Sequence, residues 1–156
     1  MFTFDDIRAI AVQIENNGEA AYRRAAERVD DRRLAGLFTW MAEEEQRHGR
    51  CFAGIKGAGL PAAGAEAAER MGRDLLQEMV KDQTFSLDRD DLAAAVDVAA
   101  ALRQSLTFEE DTILFYQFLG DLIEDAAVKE QLAAIIAEER RHVTLLDGML
   151  DDGRAA

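Results

Sequence analysis

One pattern of residues occurs twice in this chain, and the two copies are separated by 94 positions. The pattern alternates steps of four and three, which places all of its members on one face of a helix. Its members are Leu34, Phe38, Met41, Glu45, His48, Phe52 and Ile55 in the first copy, and Val128, Leu132, Ile135, Glu139, His142, Leu146 and Met149 in the second. The same offset relates Glu15 to Glu109 and Tyr22 to Tyr116. We interpret the chain as an internal duplication of a helical hairpin.

The amino-acid composition and the scarcity of proline predict an all-α fold. Alanine, leucine, glutamate and arginine are abundant, and the chain has a single proline. We predict four helices, at residues 4–29, 31–55, 91–123 and 126–150, with Asp31 and Asp125 as N-caps. Residues 56–90, with a short helix at 66–83, form a connection long enough to cross over between helices two and three of a four-helix bundle. The expected domain is 1–150, followed by a tail at 151–156.

The charge balance excludes several classes of partner. The 156 residues include 31 acidic and 18 basic side chains, for a net charge of −13. Such a surface repels nucleic acid and anionic membranes.

The sequence contains neither a run of about 18 apolar residues nor the basic start of a secretory signal. A single cysteine, Cys51, excludes an intrachain disulfide, and we expect a cytoplasmic protein.

The two histidines of the chain each follow a glutamate by three residues. This spacing places both side chains of a pair on one helix face, where they can bind one ion. A further glutamate precedes each pair by 30 residues, and antiparallel helices joined by a tight turn bring it level with the pair. The predicted metal ligands, and the site of any catalysis, are Glu15, Glu45, His48, Glu109, Glu139 and His142.

Electrostatics favours a metal centre at these positions. Four carboxylates in an apolar seam would each carry a desolvation cost of several kcal/mol and would repel one another. Two divalent cations would cancel their charges, and carboxylates with one imidazole per ion suit iron or manganese better than zinc. A chance Glu-x-x-His pair is common on an acidic helix, but two pairs with the same spacing to a further glutamate are not.

The surroundings of the predicted centre leave alternatives open. Tyr22 and Tyr116 lie two helical turns beyond Glu15 and Glu109, so each could hydrogen-bond a ligand carboxylate or be a plain core residue. Glu44 and Glu138 point about 100° away from the ligand face, which favours a solvated or supporting role over ligation.

Three other side chains invite simpler interpretations. Cys51 follows His48 by one turn and could approach the metal, but its duplicate is Leu145, which favours a small buried hydrophobic residue. Trp40 and Phe115 are interpreted as core or subunit-interface residues.

The chain resembles the rubrerythrin-like branch of the ferritin-like superfamily over nearly its whole length. The resemblance rests on segments 14–22 and 109–116 and on the two Glu-x-x-His helices. It implies that the six predicted residues are ligands of two iron ions, that Glu45 and Glu139 bridge them, and that the protein is a homodimer. Full-length rubrerythrins add a cysteine-ligated rubredoxin domain, which one cysteine cannot build. The family pattern carries an additional carboxylate on the third helix, three residues after Glu109, where this chain has Thr112. The duplicate position is Gly18, so the site is expected to be more symmetric than that of rubrerythrin.

Three functions are compatible with these residues. The leading hypothesis is a di-iron oxidoreductase that reduces hydrogen peroxide or dioxygen with electrons from a separate donor, such as a rubredoxin-type protein. The second is a ferroxidase that oxidises Fe(II) for storage or transfer. The third is a non-catalytic helical scaffold. The sequence does not distinguish iron from manganese or a mixed-metal centre.

Overall fold

Four long helices make up the part of the chain that the computed structural model describes, which is residues 4–56 and 98–155 together with Arg70 and Asp74. They are α1 (Phe4–Arg28), α2 (Arg32–Gly54), α3 (Val98–Leu122) and α4 (Ala126–Ala155). α1 packs against α2, and α3 packs against α4. The predicted all-α bundle of two duplicated hairpins is confirmed. No helix among these residues contains a stretch long and apolar enough to cross a membrane.

Each hairpin turns at an aspartate that caps its second helix. The carboxylate of Asp31 accepts hydrogen bonds from the backbone N–H groups of Arg33 and Leu34, at 2.8 and 3.0 Å. Asp125 accepts equivalent bonds from Ala127 and Val128, at 2.9 and 3.0 Å. These bonds satisfy donors that have no partner within the helix, so both helices begin immediately after a three-residue turn. The short turns bring each glutamate of α1 or α3 level with the Glu-x-x-His pair of its hairpin.

The repeated seam forms the core of the bundle. Leu34, Phe38 and Met41 are fully buried in the first copy, and Leu132 and Leu146 are at most 2% exposed in the second. Aromatic contacts join the hairpins: the rings of Phe52 and Tyr116 lie 4.9 Å apart, and those of Tyr22 and Phe108 lie 6.3 Å apart. Large side chains therefore exclude water above and below the polar layer of the seam.

Some boundaries differ from those predicted. α4 continues through Ala155, beyond the expected end at 150, since no proline or capping residue interrupts it. The predicted connection at 56–90 and its short helix at 66–83 lie outside the described residues, apart from Lys56, Arg70 and Asp74; the last two are helical and exposed. The same holds for residues 91–97 of the predicted third helix.

The interpretation of Cys51 as a buried residue is wrong, because its side chain is exposed. The copy-related Leu145 is also 45% exposed, so both residues lie on the outer face of their helices. Of the two places predicted for Trp40 and Phe115, Phe115 takes the core position at 4% exposure. Trp40 is 38% exposed, so of its two predicted places only the subunit interface remains.

The caps are testable. Replacing Asp31 with Ala should lower the free energy of unfolding by about 1 kcal/mol, because two backbone donors lose their acceptor. Urea unfolding followed by circular dichroism measures the change. The neighbouring exposed Asp30→Ala serves as the control and should leave stability nearly unchanged; equal losses in both variants would show that the cap does not stabilise the turn.

Candidate metal centre

The six predicted ligand residues meet in the middle of the bundle, and none of them is exposed to solvent. α1 and α3 each contribute one glutamate, while α2 and α4 each contribute a glutamate and a histidine. The residues, in chain order, are Glu15, Glu45, His48, Glu109, Glu139 and His142. The seam positions aim them inward because every neighbour on the same helix face belongs to the core.

These side chains form two overlapping sets of four. In each set, one ligand atom from every residue lies within 4.8 Å of the others. The first set contains Glu15, Glu45, His48 and Glu139, and the second contains Glu45, Glu109, Glu139 and His142. Glu45 and Glu139 belong to both sets, so each could contribute one oxygen to each of two ions. Each set draws on both hairpins.

The contacts around the histidines show how closely the ligand atoms converge. Nδ1 of His48 lies 2.8 Å from Glu139 Oε1 and 3.7 Å from Glu15 Oε2. Nδ1 of His142 lies 2.9 Å from Glu139 Oε2 and 3.5 Å from oxygens of both Glu45 and Glu109. The imidazole rings are stacked, with their centroids 5.9 Å apart. Glu139 therefore lies between the two rings.

Several of these buried atoms have no hydrogen-bond partner in the described part of the chain. They are Glu15 Oε2, both carboxylate oxygens of Glu45 and of Glu139, Glu109 Oε2, and Nδ1 of His48 and His142. Although some of them are close together, they lack the angular geometry of a hydrogen bond. Unsatisfied buried acceptors are costly unless something else binds them. A set of oxygens with one imidazole nitrogen for each ion fits iron or manganese.

The two tyrosines hydrogen-bond carboxylates of this set, and each bond crosses between hairpins. Tyr22 of α1 donates to Glu109 Oε1 of α3 at 2.6 Å. Tyr116 of α3 donates to Glu15 Oε1 of α1. One oxygen of each carboxylate is thus fixed by a phenol, which leaves the other oxygen directed at the centre. Spacing along the chain placed the tyrosines near the site, but it did not show that each would reach across to the opposite hairpin.

Burial and mutual repulsion perturb the acidity of the carboxylates. Burial, followed by the charge of Glu139, raises the pKa of Glu15, raises that of Glu45 well above its usual range, and raises that of Glu109 to about 8. Burial would also raise the pKa of Glu139, but His142 and His48 outweigh it and hold that pKa below its usual range. With protein groups alone, Glu139 is the carboxylate of the site whose ionised form is most favoured.

The histidines show the opposite balance. Burial disfavours their charged forms, but the neighbouring carboxylates outweigh burial and raise the pKa of His48 to about 11 and that of His142 to about 10. The protein alone therefore favours the protonated forms of these rings and of Glu45 and Glu109. A divalent cation bound here would replace those protons with its own charge.

The outer side of His48 contacts a residue that spacing had excluded from the ligand face. Nε2 of His48 lies 2.6 Å from Glu138 Oε2. Hydrogen bonds to Arg47 and His48 outweigh partial burial and lower the pKa of Glu138. Because an ionised carboxylate only accepts hydrogen bonds, Nε2 is protonated, and Nδ1 is the nitrogen available to an ion. Glu44, the duplicate of Glu138, pairs with Arg47.

Gly18 allows the carboxylate of Glu45 its present position. A Cβ atom at residue 18 would lie 2.8 Å from Glu45 Oε2 and 3.1 Å from the ring of Phe108. At the duplicate position, Thr112 is fully buried, and its hydroxyl has no hydrogen-bond partner in the described residues. Neither position supplies an additional carboxylate to the centre.

A methyl group at residue 18 should therefore disturb metal binding. Gly18→Ala forces the Glu45 carboxylate to move, and we expect affinity for Mn(II), measured by titration calorimetry, to fall at least about tenfold. Gly36→Ala is the matched control, because nothing lies within 4 Å of its added Cβ. Unchanged Mn(II) affinity in Gly18→Ala would contradict a role for Glu45 in holding the ion.

The stability of the metal-free protein should fall as pH rises. Glu109 retains its proton up to about pH 8 in the folded state, but it titrates near 4.5 when unfolded. The folded state therefore binds more protons between these values, so this stabilisation is complete below 4.5 and is lost as pH rises through 8. We expect the melting temperature in EDTA to fall by several degrees between pH 5 and pH 8. Circular dichroism measures it.

Two variants separate this effect from general surface repulsion. Glu109→Gln removes one of the retained protons and should reduce the slope of the pH dependence, while Glu45, His48 and His142 keep the rest of it. Glu110→Gln changes the exposed neighbour and should keep it. Identical slopes in the two variants would show that the buried carboxylate does not cause the loss.

Comparison with known proteins places this geometry in a family. No functionally curated protein matches the chain. A crystal structure from Thermotoga maritima, of a protein described as ferritin-like and diiron-carboxylate, matches with a TM-score of 0.68 at 20% sequence identity, covering 97% of this chain and 96% of that one. The chain thus has the ferritin-like fold. Residues 6–86, slightly more than half of the sequence, match the Rubrerythrin family. The chain belongs to the rubrerythrin family.

Proposed function

We propose that this protein is a di-iron oxidoreductase that reduces hydrogen peroxide or dioxygen with electrons from a separate donor protein. The observation that carries the proposal is the pair of overlapping ligand sets that share Glu45 and Glu139. Sharing two carboxylates keeps two ions close enough to act on one small oxidant.

The six buried residues would hold two iron ions in each chain. Glu15 and His48 would hold one ion, Glu109 and His142 the other, and Glu45 and Glu139 would bridge them. Four carboxylate charges would balance two divalent ions, with both imidazoles neutral. This arrangement relieves the repulsion that otherwise keeps protons on the glutamates.

The protein groups orient the ligands and exclude water. The phenols of Tyr22 and Tyr116 each fix one oxygen of Glu109 and Glu15, so these carboxylates cannot rotate freely. When bound, two ferrous ions would supply the two electrons needed to cleave the O–O bond of peroxide, and a reductant must later return them. With two protons, that reduction yields two molecules of water. The complete burial of the ligands limits access to small oxidants and protects the reduced centre from bulk solvent.

Removing a bridging ligand tests the proposal. Protein purified without a metal-affinity tag should contain about two iron ions per chain, and after anaerobic Fe(II) loading its absorbance should change rapidly on mixing with peroxide in a stopped-flow instrument. Glu45→Ala or His48→Ala should lose iron and slow this oxidation by more than about 100-fold, since loss of an outer hydrogen-bond partner alone typically costs 10–100-fold. The exposed Glu43→Ala, on the same helix, should behave like wild type.

Other outcomes would support different functions. A strong preference for dioxygen with continued Fe(II) turnover would favour a ferroxidase, and a cage-sized mass in solution would favour storage over a homodimeric oxidoreductase. Normal turnover in both ligand variants would refute the site. If no iron binds and added iron leaves the melting temperature unchanged, the scaffold hypothesis replaces the metal centre, since an ion that binds only the folded state must stabilise it.

A further inference from the structure

The outer sides of the two site histidines are not equivalent. Nε2 of His48 lies 2.6 Å from the carboxylate of Glu138. Nε2 of His142 is buried and has no hydrogen-bond partner among the described residues. Its ring instead contacts the edge of the Trp40 indole, with centroids 5.2 Å apart and planes at 78°. One imidazole is backed by a negative charge and the other by an aromatic side chain.

The internal duplication would have predicted two equivalent environments. Glu44 is the duplicate of Glu138 and stands in the same relation to its own Glu-x-x-His pair. Yet Glu44 makes no hydrogen bond to Nε2 of His142. Its carboxylate is bound by Arg47 at 2.7 Å and has an oxygen within 4.8 Å of a ring nitrogen of His48 and of an oxygen of Glu138. The duplicate of Trp40 is Ala134, so no indole lies at the corresponding place in the second copy. The two halves therefore diverge at the residues that surround the histidines.

Glu138 is itself held in place. Nη2 of Arg47 lies 2.5 Å from Glu138 Oε2, and Nη2 of Arg141 lies 3.6 Å from Glu138 Oε1. Its side chain is only 20% exposed, which limits screening by solvent. The carboxylate is thus positioned before any ion binds, and the position of His48 follows from it.

A carboxylate on the outer nitrogen changes what the inner nitrogen can do. It fixes the ring orientation and the tautomer with a free Nδ1, and it makes that nitrogen a stronger donor to a metal. No carboxylate hydrogen-bonds Nε2 of His142 among the described residues. In the same tautomer, its Nε2–H would be buried without an acceptor, which is unfavourable. The two ions of the proposed centre would therefore bind with unequal strength.

We propose that Glu138 is a positioning residue that makes the His48 side of the centre the tighter metal position, so that the two ions bind in a fixed order. This inference rests on the metal centre of the proposed function but not on its reaction. Loss of Glu138 should lower affinity at the first step by the 10–100-fold typical of an outer hydrogen-bond partner. Loss of the exposed Glu43 should leave that affinity unchanged.

Stepwise anaerobic addition of Co(II) to the full chain tests the order. Calorimetry should resolve two binding steps whose affinities differ at least about tenfold. Glu138→Ala should weaken the first step by 10–100-fold, and Glu138→Gln, which can still accept a hydrogen bond but carries no charge, should weaken it less. Glu43→Ala and Glu43→Gln, at an exposed position of the same helix, are the controls, and both should retain the wild-type first step.

Proton NMR of the Co(II) protein provides a readout independent of affinity. A histidine bound through Nδ1 keeps an N–H at Nε2, which the paramagnetic ion shifts out of the normal spectral range. The first equivalent of Co(II) should produce one such signal that exchanges slowly with D₂O, because Glu138 holds that proton. The second equivalent should add a faster-exchanging signal from His142. Glu138→Ala should accelerate exchange of the first signal, whereas general loosening of the bundle would accelerate both.

The outcomes distinguish this inference from the proposal beneath it. Two equal binding steps in the wild type, or equal effects of the Glu43 and Glu138 substitutions, would overturn the inferred order while leaving the two-metal centre intact. Failure of the wild-type protein to bind Co(II), Fe(II) or Mn(II) would overturn both.

Discussion

Burying four carboxylates at one level of a helical bundle is the constraint on which the rest of this structure depends. Each charge removed from water is costly, and four together repel one another. In the protein alone, protonation reduces this repulsion. The pKa values of Glu45 and Glu109 rise, and both histidines remain protonated around Glu139. A divalent cation between the carboxylates would take the place of those protons and relieve the same repulsion. The cost of burying the charges is therefore what favours a cation at this position.

The apolar parts of the bundle make that arrangement possible. Phe38 and Met41 on one side of the polar layer, and Phe52 on the other, are almost completely buried. They exclude water from the ligands and prevent the helices from separating to relieve repulsion. The capped turns at Asp31 and Asp125 fix how the two helices of each hairpin align. A shift of one residue would rotate a ligand out of the seam. Function in this fold thus depends on ordinary packing as much as on the ligands.

Much of this could be predicted from the sequence, because helical periodicity states which side chains share a face. The fold, both N-caps and the convergence of six polar residues follow from spacing alone. Periodicity does not describe how far a long side chain reaches. Glu138 was placed off the ligand face, correctly, yet its carboxylate extends to the outer nitrogen of His48. Nor does it show which positions solvent reaches: Cys51 and Trp40 lie on outer faces that a hydrophobic side chain alone would not indicate.

Each ligand set contains residues from both hairpins, and this has a consequence for the history of the fold. A single hairpin supplies three ligands of a set, such as Glu15, Glu45 and His48. The fourth ligand of that set comes from the opposite hairpin. A one-hairpin ancestor could have completed the site only between two identical chains, each supplying the shared glutamate to the other. Joining the genes would have made that association permanent and released the halves from identity. The contrast between Trp40 and Ala134 is a divergence that two identical chains encoded by one gene could not acquire.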